Sequence, residues 1–378
     1  MSPRTWEAQL RVAGASLNLE ADASACRPAA DAEAAPLTVI VPTHRRLTDL
    51  KRCLASIVTP ELPANAELVV VCNGPDAESE GFLDQFAARE PRLVVMRLAK
   101  RQPGAARNAA LDRARGEIIF FLDDDVTVRP GFFSRVMRLF AERPELDVLG
   151  GPNLTPLESG RFEHCVGRVL ASPFGSATTR HRFRSAGRLR SADDRSLILC
   201  NLIVRRRALE GLNARFRDHL ISNEENVLLA ELAFEHKVML HDPELIVYHS
   251  RRPNLRGFFR QVFRYGGGRW QNTEALPSSL SPFFLIPLLF LLYLLSIPLL
   301  YLLSIAMVRN PLYLVPLVAY VALAVLFSLV ETLRAGDPRA FPTLLVLFPC
   351  CHIGYAMGFG WQLVRSMASR WFGAGTMR

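Results

Sequence analysis

Paired cysteines are the first thing this sequence lacks. None of its 7 cysteines stands in a Cys-x-x-Cys pair or in a spacing suited to a metal. An odd number without a framework excludes a disulfide-stapled fold and implies reduced, mostly buried thiols in a cytosolic environment. The opening residues also lack an apolar stretch of signal-peptide type, so residues 1–35, rich in Ala and mixed in polarity, read as an N-terminal extension. The third scarcity is local. Charged residues are frequent up to about Trp270, whereas residues 282–364 are almost continuously apolar. The formal net charge of +9 fits nucleic acid, anionic lipid or phosphorylated ligands. Much of the excess lies in residues 180–190 and 251–269, the latter directly before the apolar stretch. Basic residues beside membrane segments report orientation and lipid headgroups, so no nucleic-acid polymer is expected as a partner.

From Leu37 onward, short β-branched runs alternate with helical spacing. Residues 37–41, closed by Pro42, read as a buried parallel strand. Leu47, Leu50, Leu54 and Ile57 share one face of a helix. Further strands are expected at 67–72, stopped by Asn73-Gly74, at 93–98 and at 118–122, with a small-residue helix over 104–115. The alternation argues for an α/β domain over residues 36–272, with an open, mostly parallel sheet covered by helices. Such sheets bind ligands at the carboxyl ends of their strands, which marks residues 42–45, 73–74 and 123–125. Beyond Gly150 the pattern loosens. Residues 172–191 read as a long mobile loop, 197–204 as a strand, 226–234 as a helix and 245–248 as a last strand.

Residues 273–378 form a helical membrane domain with spans expected at about 282–303, 312–330 and 340–364, each near the ~20 residues that cross a bilayer. Arg251, Arg252, Arg256, Arg260, Arg264 and Arg269 precede the first span. The positive-inside rule therefore puts the α/β domain in the cytosol, as part of a multi-pass protein of the inner, cytoplasmic membrane. Three crossings leave Arg365, Arg370 and Arg378 outside, which the rule disfavours. A re-entrant or packed third segment, suggested by Cys350-Cys351-His352 with Gly354, Gly358 and Gly360, is the other topology. His352, ionisable within an apolar segment, marks either a site or a helix–helix bond.

Asp123-Asp124-Asp125 follows an apolar strand, so its carboxylates stand at the sheet's carboxyl edge. Three adjacent acids repel unless a cation or donors neutralise them. A hard divalent ion accepts oxygen ligands and leaves positions for water and diphosphate oxygens, and would neutralise a leaving nucleoside diphosphate. Pro42, Thr43, His44 and Arg45 place a hydroxyl and a guanidinium where a nucleotide would sit. Gly104-Ala-Ala-Arg107-Asn108 lets backbone approach closely and offers an Arg for phosphate or base oxygens. A helix start is the plain reading of both.

Taken in order, residues 39–45 (Val-Ile-Val-Pro-Thr-His-Arg), 104–108 and 121–125 (Phe-Leu-Asp-Asp-Asp) with Pro130-Gly131 resemble the family 2 glycosyltransferases. These are inverting enzymes with a nucleotide-binding α/β domain of the GT-A fold. Cys200-Asn201 with Val204-Arg205 is similar to their acceptor-side strand, residues 222–226 (Ser-Asn-Glu-Glu-Asn) to their acidic catalytic motif, and Gln261-Val-Phe-Arg264-Tyr265 to the motif written QxxRW. Residues 171–175 and 264–269, with terminal spans, look closest to succinoglycan-type enzymes of exopolysaccharide assembly. The resemblance implies that Asp123 and Asp125 bind nucleotide and metal, with Asp124 beside them, and that Pro42, Thr43, Arg45 and Arg107 contact the nucleotide. Asn73 stands where the family often has an acid over uracil; a UDP-sugar is the favoured donor. Glu225, or its neighbour Glu224, would be the general base, and Gln261, Arg264, Tyr265 and Asn201 would meet diphosphate and acceptor. His249 reads as a metal-side residue or as a plain edge histidine.

The implied function is a metal-dependent (Mn2+ or Mg2+) inverting transfer from a nucleotide sugar to a polyprenyl-linked acceptor at the membrane. Alternatives within the class are a polyprenyl-phosphate sugar synthase or a processive polysaccharide synthase. Outside it stands a membrane-tethered nucleotide-sugar-binding scaffold with impaired catalysis.

Overall fold

The computed structural model describes residues 36–212, 214–218, 220, 224–303 and 310–373. The expected N-terminal extension, Ser222 and Asn223 of the acidic stretch, and Arg378 lie outside the described residues. Internal contacts divide the chain into two units, one of Met1–Leu154, Ser185–His219 and Leu228–His249, the other of Thr155–Arg184, Leu220–Val227 and Ser250–Arg378.

The first unit is built on β1 (Leu37–Thr43), β2 (Glu67–Asn73), β3 (Leu93–Leu98), β4 (Ile118–Phe121), β5 (Val126–Val128), β6 (Leu146–Gly150), β7 (Asn153–Leu154), β8 (Arg190–Ser191), β9 (Leu202–Arg205), β10 (Val238–His241) and β11 (Val247–His249). An eight-stranded sheet runs β3-β2-β1-β4-β9-β6-β10-β8, and β5-β11-β7 form a smaller one. The expected parallel order holds for β1 with β2 and β4, for β2 with β3, and for β6 with β10. β9 runs antiparallel between β4 and β6, and β8 antiparallel on the β10 edge.

Side-chain alternation along β1 shows why this sequence makes a central strand. Leu37, Val39 and Val41 enter one apolar cluster and Ile40 another on the opposite face. Each fully buried side chain of this size contributes about 1.5–3 kcal/mol. Helix Leu47–Ile57 buries Leu50, Leu54 and Ile57 in the first cluster. Helix Pro103–Arg113 puts Ala106, Ala110 and Leu111 in the second, its Pro opening the first turn where an N–H would have no partner.

Three sequence expectations need correction. Residues 172–191 are not a loop: Pro173–Ser176 and Ala177–Phe183 are short helical segments and Arg190–Ser191 is a strand. Ordered packing of Phe174 and Phe183 supplies what periodicity did not announce. Within 197–204 only Leu202 onward pairs as a strand, because Leu199–Asn201 forms a 3-10 turn. The third apolar segment is a single helix, Phe341–Gly373, running beyond residue 364 without reversal.

In the second unit, Pro282–Leu302, Pro311–Ala335 and Pro338–Arg370 are long and apolar enough to cross a membrane. Helix Leu255–Ala275 lies against Phe341–Gly373. Helix Arg161–Ala171 contributes Cys165, Val166, Val169 and Leu170 to a core with Leu344, Leu347 and Phe348.

Candidate active site

The sheet delivers the Asp run as expected. β4 ends at Phe121, buried Leu122 closes it, and the chain turns through Asp123, Asp124 and Asp125 into β5. Each carboxylate meets a donor. Thr43, at the end of neighbouring β1, donates its hydroxyl to Asp124 Oδ2 at 2.8 Å. The Arg46 guanidinium spans two acids, with Nη1 3.2 Å from Asp124 Oδ1 and 2.9 Å from Asp125 Oδ2. Buried Arg107 reaches Asp123 Oδ1 at 2.5 Å. His249, the last residue of β11, sets Nε2 3.3 Å from Asp125 Oδ1. Its Nδ1 is buried without a hydrogen-bond partner.

Charge and burial pull these groups in opposite directions. Burial pushes the Asp124 carboxyl up to about 6, against the nearby Arg46 and with the repulsion of Asp125 and Asp123. For His249, burial acts downward, but the charge and hydrogen bond of Asp125 prevail and push the imidazole up to about 10. A divalent ion would satisfy the same carboxylates. Among the described residues no three His, Cys, Asp or Glu side chains are grouped to hold a metal by themselves. Ligand oxygens and water would have to complete the shell, as hard cations permit. The 3.3 Å between Asp125 Oδ1 and His249 Nε2 resembles the ~3 Å between neighbouring donors at octahedral bond lengths near 2.1 Å. The donor set therefore fits a Mg2+ or Mn2+ ion at Asp125, with Asp123 and His249 at hand.

Other nucleotide-side candidates fall outside this cluster. Arg45 has φ +55, and its backbone N–H donates to Asp76 Oδ2 at 2.6 Å. Its side chain is exposed, and the following residue, Arg46, meets the acids instead. Asn73 exchanges two hydrogen bonds of 3.0 Å with the Arg101 backbone, which fixes the loop after β3. Pro42 is half-buried in β1. Asn201 is fully buried, donating 2.7 Å to the Leu245 carbonyl, and so ties the turn before β9 to the chain entering β11.

In the second unit, Glu224 and Glu225 open helix Glu224–Phe234, and both are buried. Glu225 Oε1 lies 3.6 Å from Nη1 of buried Arg182, whose Nη2 donates 2.7 Å to Asn226 Oδ1. Burial raises the Glu225 carboxyl above the usual range, Arg182 opposing and Glu224 reinforcing the shift. Arg182 was hidden in a stretch that read as loop. Gln261 donates from Nε2 to the Tyr265 hydroxyl at 3.1 Å, one turn on along helix Leu255–Ala275, and Arg264 is exposed on that helix.

The family model described as Glycosyl transferase family 2 matches residues 38–212. An uncharacterized protein of Sinorhizobium fredii, y4gI, is 28% identical over 268 residues, which is 66% of this chain and 29% of that protein. Glycosyltransferase AglE of Haloferax volcanii is 24% identical over 238 residues, covering 62% of this chain and 73% of AglE. The putative glycosyltransferase EpsH and the uncharacterized glycosyltransferase EpsJ, both of Bacillus subtilis, match over 114 residues each, so the chain spans about a third of their length. Among solved structures, mannosyltransferase PcManGT of Pyrobaculum calidifontis, in complex with GDP-Man and Mn2+, superposes with a TM-score of 0.56 at 16% identity, over 96% of this chain and 94% of that one. The shared architecture is a GT-A-type α/β domain followed by a helical region. Residues 38–212, just under half of the chain, thus carry the match to glycosyl transferase family 2.

Proposed function

We propose that this protein transfers a sugar from a nucleotide-sugar donor to a lipid-linked acceptor at the cytosolic face of the cytoplasmic membrane, with inversion at the anomeric carbon. The observation that carries this reading is the convergence of Thr43, Arg46, Arg107 and His249 on the acids that end β4. Clustered, partly buried charges with shifted titration at the carboxyl ends of strands are what a site for an ionic ligand gathers. The relatives named glycosyltransferases and the neighbour holding GDP-Man and Mn2+ support it.

A divalent cation on Asp123 and Asp125, Mn2+ or Mg2+, would neutralise the departing nucleoside diphosphate. Arg46 and Arg107 stand ready for phosphate oxygens, where a guanidinium fork is effective. Glu225 takes the proton of an acceptor hydroxyl, and the oxygen attacks the anomeric carbon. The bond from that carbon to the diphosphate breaks, its electron pair leaving with the nucleotide. The upward shift of Glu225 suits a base working near neutral pH, with neighbouring Glu224 as the alternative. Gln261 and Arg264 would serve the diphosphate and acceptor. A UDP-sugar is the favoured donor, with a GDP-sugar as the competitor.

Asp125→Asn tests the reading. With the detergent-solubilised full chain, sugar transfer to a polyprenyl-linked acceptor should fall about a hundredfold or more, and calorimetric donor binding should no longer strengthen on adding Mn2+. Transfer that stays intact with unchanged Mn2+ or Mg2+ dependence overturns it.

A further inference from the structure

The three apolar helices differ in what surrounds them. Pro282–Leu302 and Pro311–Ala335 have mean hydropathies of 2.6 and 2.4 and fully bury few of their residues in protein. Pro338–Arg370 has 1.5 and is 39% buried. Both other apolar helices touch it, as where the Tyr320 hydroxyl lies 2.9 Å from His352 Nδ1, but its most extensive cover comes from segments that precede the first apolar helix. At one end Leu344, Leu347 and Phe348 pack on Cys165, Val166 and Val169 of helix Arg161–Ala171. His352 Nε2 meets the Phe174 carbonyl at 2.8 Å. Helix Leu255–Ala275 then accompanies it to the other end. Gly354 touches Phe259 and Val262, Gly358 lies on the Phe263 backbone, Trp270 meets the Phe359 ring edge-on, and Arg370 pairs with Glu274 at 3.1 Å.

That companion cannot enter hydrocarbon. Arg256, Arg260 and Arg264 recur every fourth residue along its exposed side, and each Arg at the centre of a bilayer costs about 2.5–3.5 kcal/mol. A crossing Phe341–Gly373 would drag them in. A second observation fixes parity. Asp337, after two apolar helices, pairs with Arg161 at 2.7 Å, so the chain has returned by then to the side on which it began. Against the companion and the core, one face of the last helix remains apolar and exposed: Met357, Trp361, Val364 and Met367, spaced as a single helical stripe.

We infer that the chain crosses the bilayer twice, and that helix Phe341–Gly373 lies along the cytosolic interface with this stripe in the headgroup–acyl boundary. An apolar stripe bearing an exposed Trp, flanked by arginines, is the composition of helices that lie on a membrane rather than through it. Anionic lipids complement Arg256, Arg260, Arg264, Arg365 and Arg370. The tail then stays on the side that the positive-inside rule prefers.

Reporters fused after Arg378 of the full chain decide the matter. A fluorescent protein that matures only in the cytosol should be bright, and alkaline phosphatase at the same position inactive. Asn310→Cys, between the two crossing helices, should take an impermeant maleimide from outside intact cells, confirming insertion in the same preparation. Active phosphatase and a dark fluorescent fusion mean three crossings and overturn the inference. So does an Asn310→Cys chain, membrane-inserted, that labels only from the cytosolic side.

Discussion

Arg182 and Glu225 make the sharpest statement available to single residues. The carboxyl is already raised by burial and by Glu224, while Arg182 and, more weakly, Arg269 act to keep it ionised. Arg182→Gln removes the nearer positive charge, so the acid should hold its proton to a higher pH. The acidic limb of the kcat–pH profile should move upward, with about a tenfold loss at neutral pH for each unit moved, and Arg182→Lys should restore it in part. An unmoved limb shows that Arg182 does not act on the base. Asp124 gives a stability test of opposite sense to the usual carboxylate. Its folded value of about 6 exceeds the ordinary 3.8 of an aspartate, so the folded state binds the extra proton and its stability is lost as pH rises through that window. In metal-free protein, Asp124→Asn should raise stability above about pH 6 by on the order of 1–3 kcal/mol, read as a higher melting temperature, and give no gain below about pH 4. A gain equal at both pH values would show that the charge is not the cause. The acid run itself was plain in the sequence, because five apolar residues before it fix its place at a strand end. Arg46 was not. Only the positive φ of Arg45, set by the Asp76 hydrogen bond, decides which of two adjacent arginines faces the acids, and no local pattern records it.

At the scale of elements, the pairing of helix Leu255–Ala275 with Phe341–Gly373 depends on two backbones touching. A Cβ on Gly266 would come within 2.0 Å of the Tyr355 carbonyl oxygen, and one on Gly358 within 1.9 Å of that of Phe263. Neither neighbour is a flexible side chain, so the helices would have to part. Gly267, one residue away, has nothing nearer than 3.5 Å. Gly266→Ala and Gly358→Ala should each cost about 1–3 kcal/mol by overpacking, read as a fall in thermal midpoint in detergent, with Gly267→Ala close to neutral. Equal effects at Gly266 and Gly267 would show that close approach is not what holds the pair. Small residues are favoured where helices meet closely, and the sequence displayed these glycines without saying which helix they face. Strands β1, β2 and β4 were readable because both faces of a central strand are buried, which leaves an unbroken apolar run. Residues 172–191 were not, since their order comes from Phe174 stacking among Tyr320, Phe327, Phe348 and His352. Those partners lie far along the chain, beyond the reach of any periodicity.

For the whole molecule, the chain path bears on cooperativity. The boundary between the two units is crossed after Leu154, Arg184, His219, Val227 and His249, so no single cut separates them. Helix Glu224–Phe234 begins in one unit, where Glu225 meets Arg182, and ends in the other, where Leu228, Leu229 and Leu232 join its core. A helix propagates as a cooperative run once formed, so melting either half removes support from the other. Donor contacts, as proposed, belong to Thr43, Arg46, Arg107, Asp123, Asp125 and His249, all in the first unit, whereas Trp270, Trp361 and Trp371 belong to the second. Those three are the only tryptophans apart from Trp6, so a Trp6→Phe chain reports unfolding of the second unit alone by its intrinsic fluorescence. Nucleotide sugar with Mn2+ at about 100 times its Kd stabilises whatever it is linked to by roughly 2.7 kcal/mol. The tryptophan transition should therefore rise in step with the calorimetric one, as a single transition, even though no tryptophan lies in the unit that holds the donor. A calorimetric midpoint that climbs while the tryptophan midpoint stays put would mean that the units melt separately and that the shared helix does not couple them.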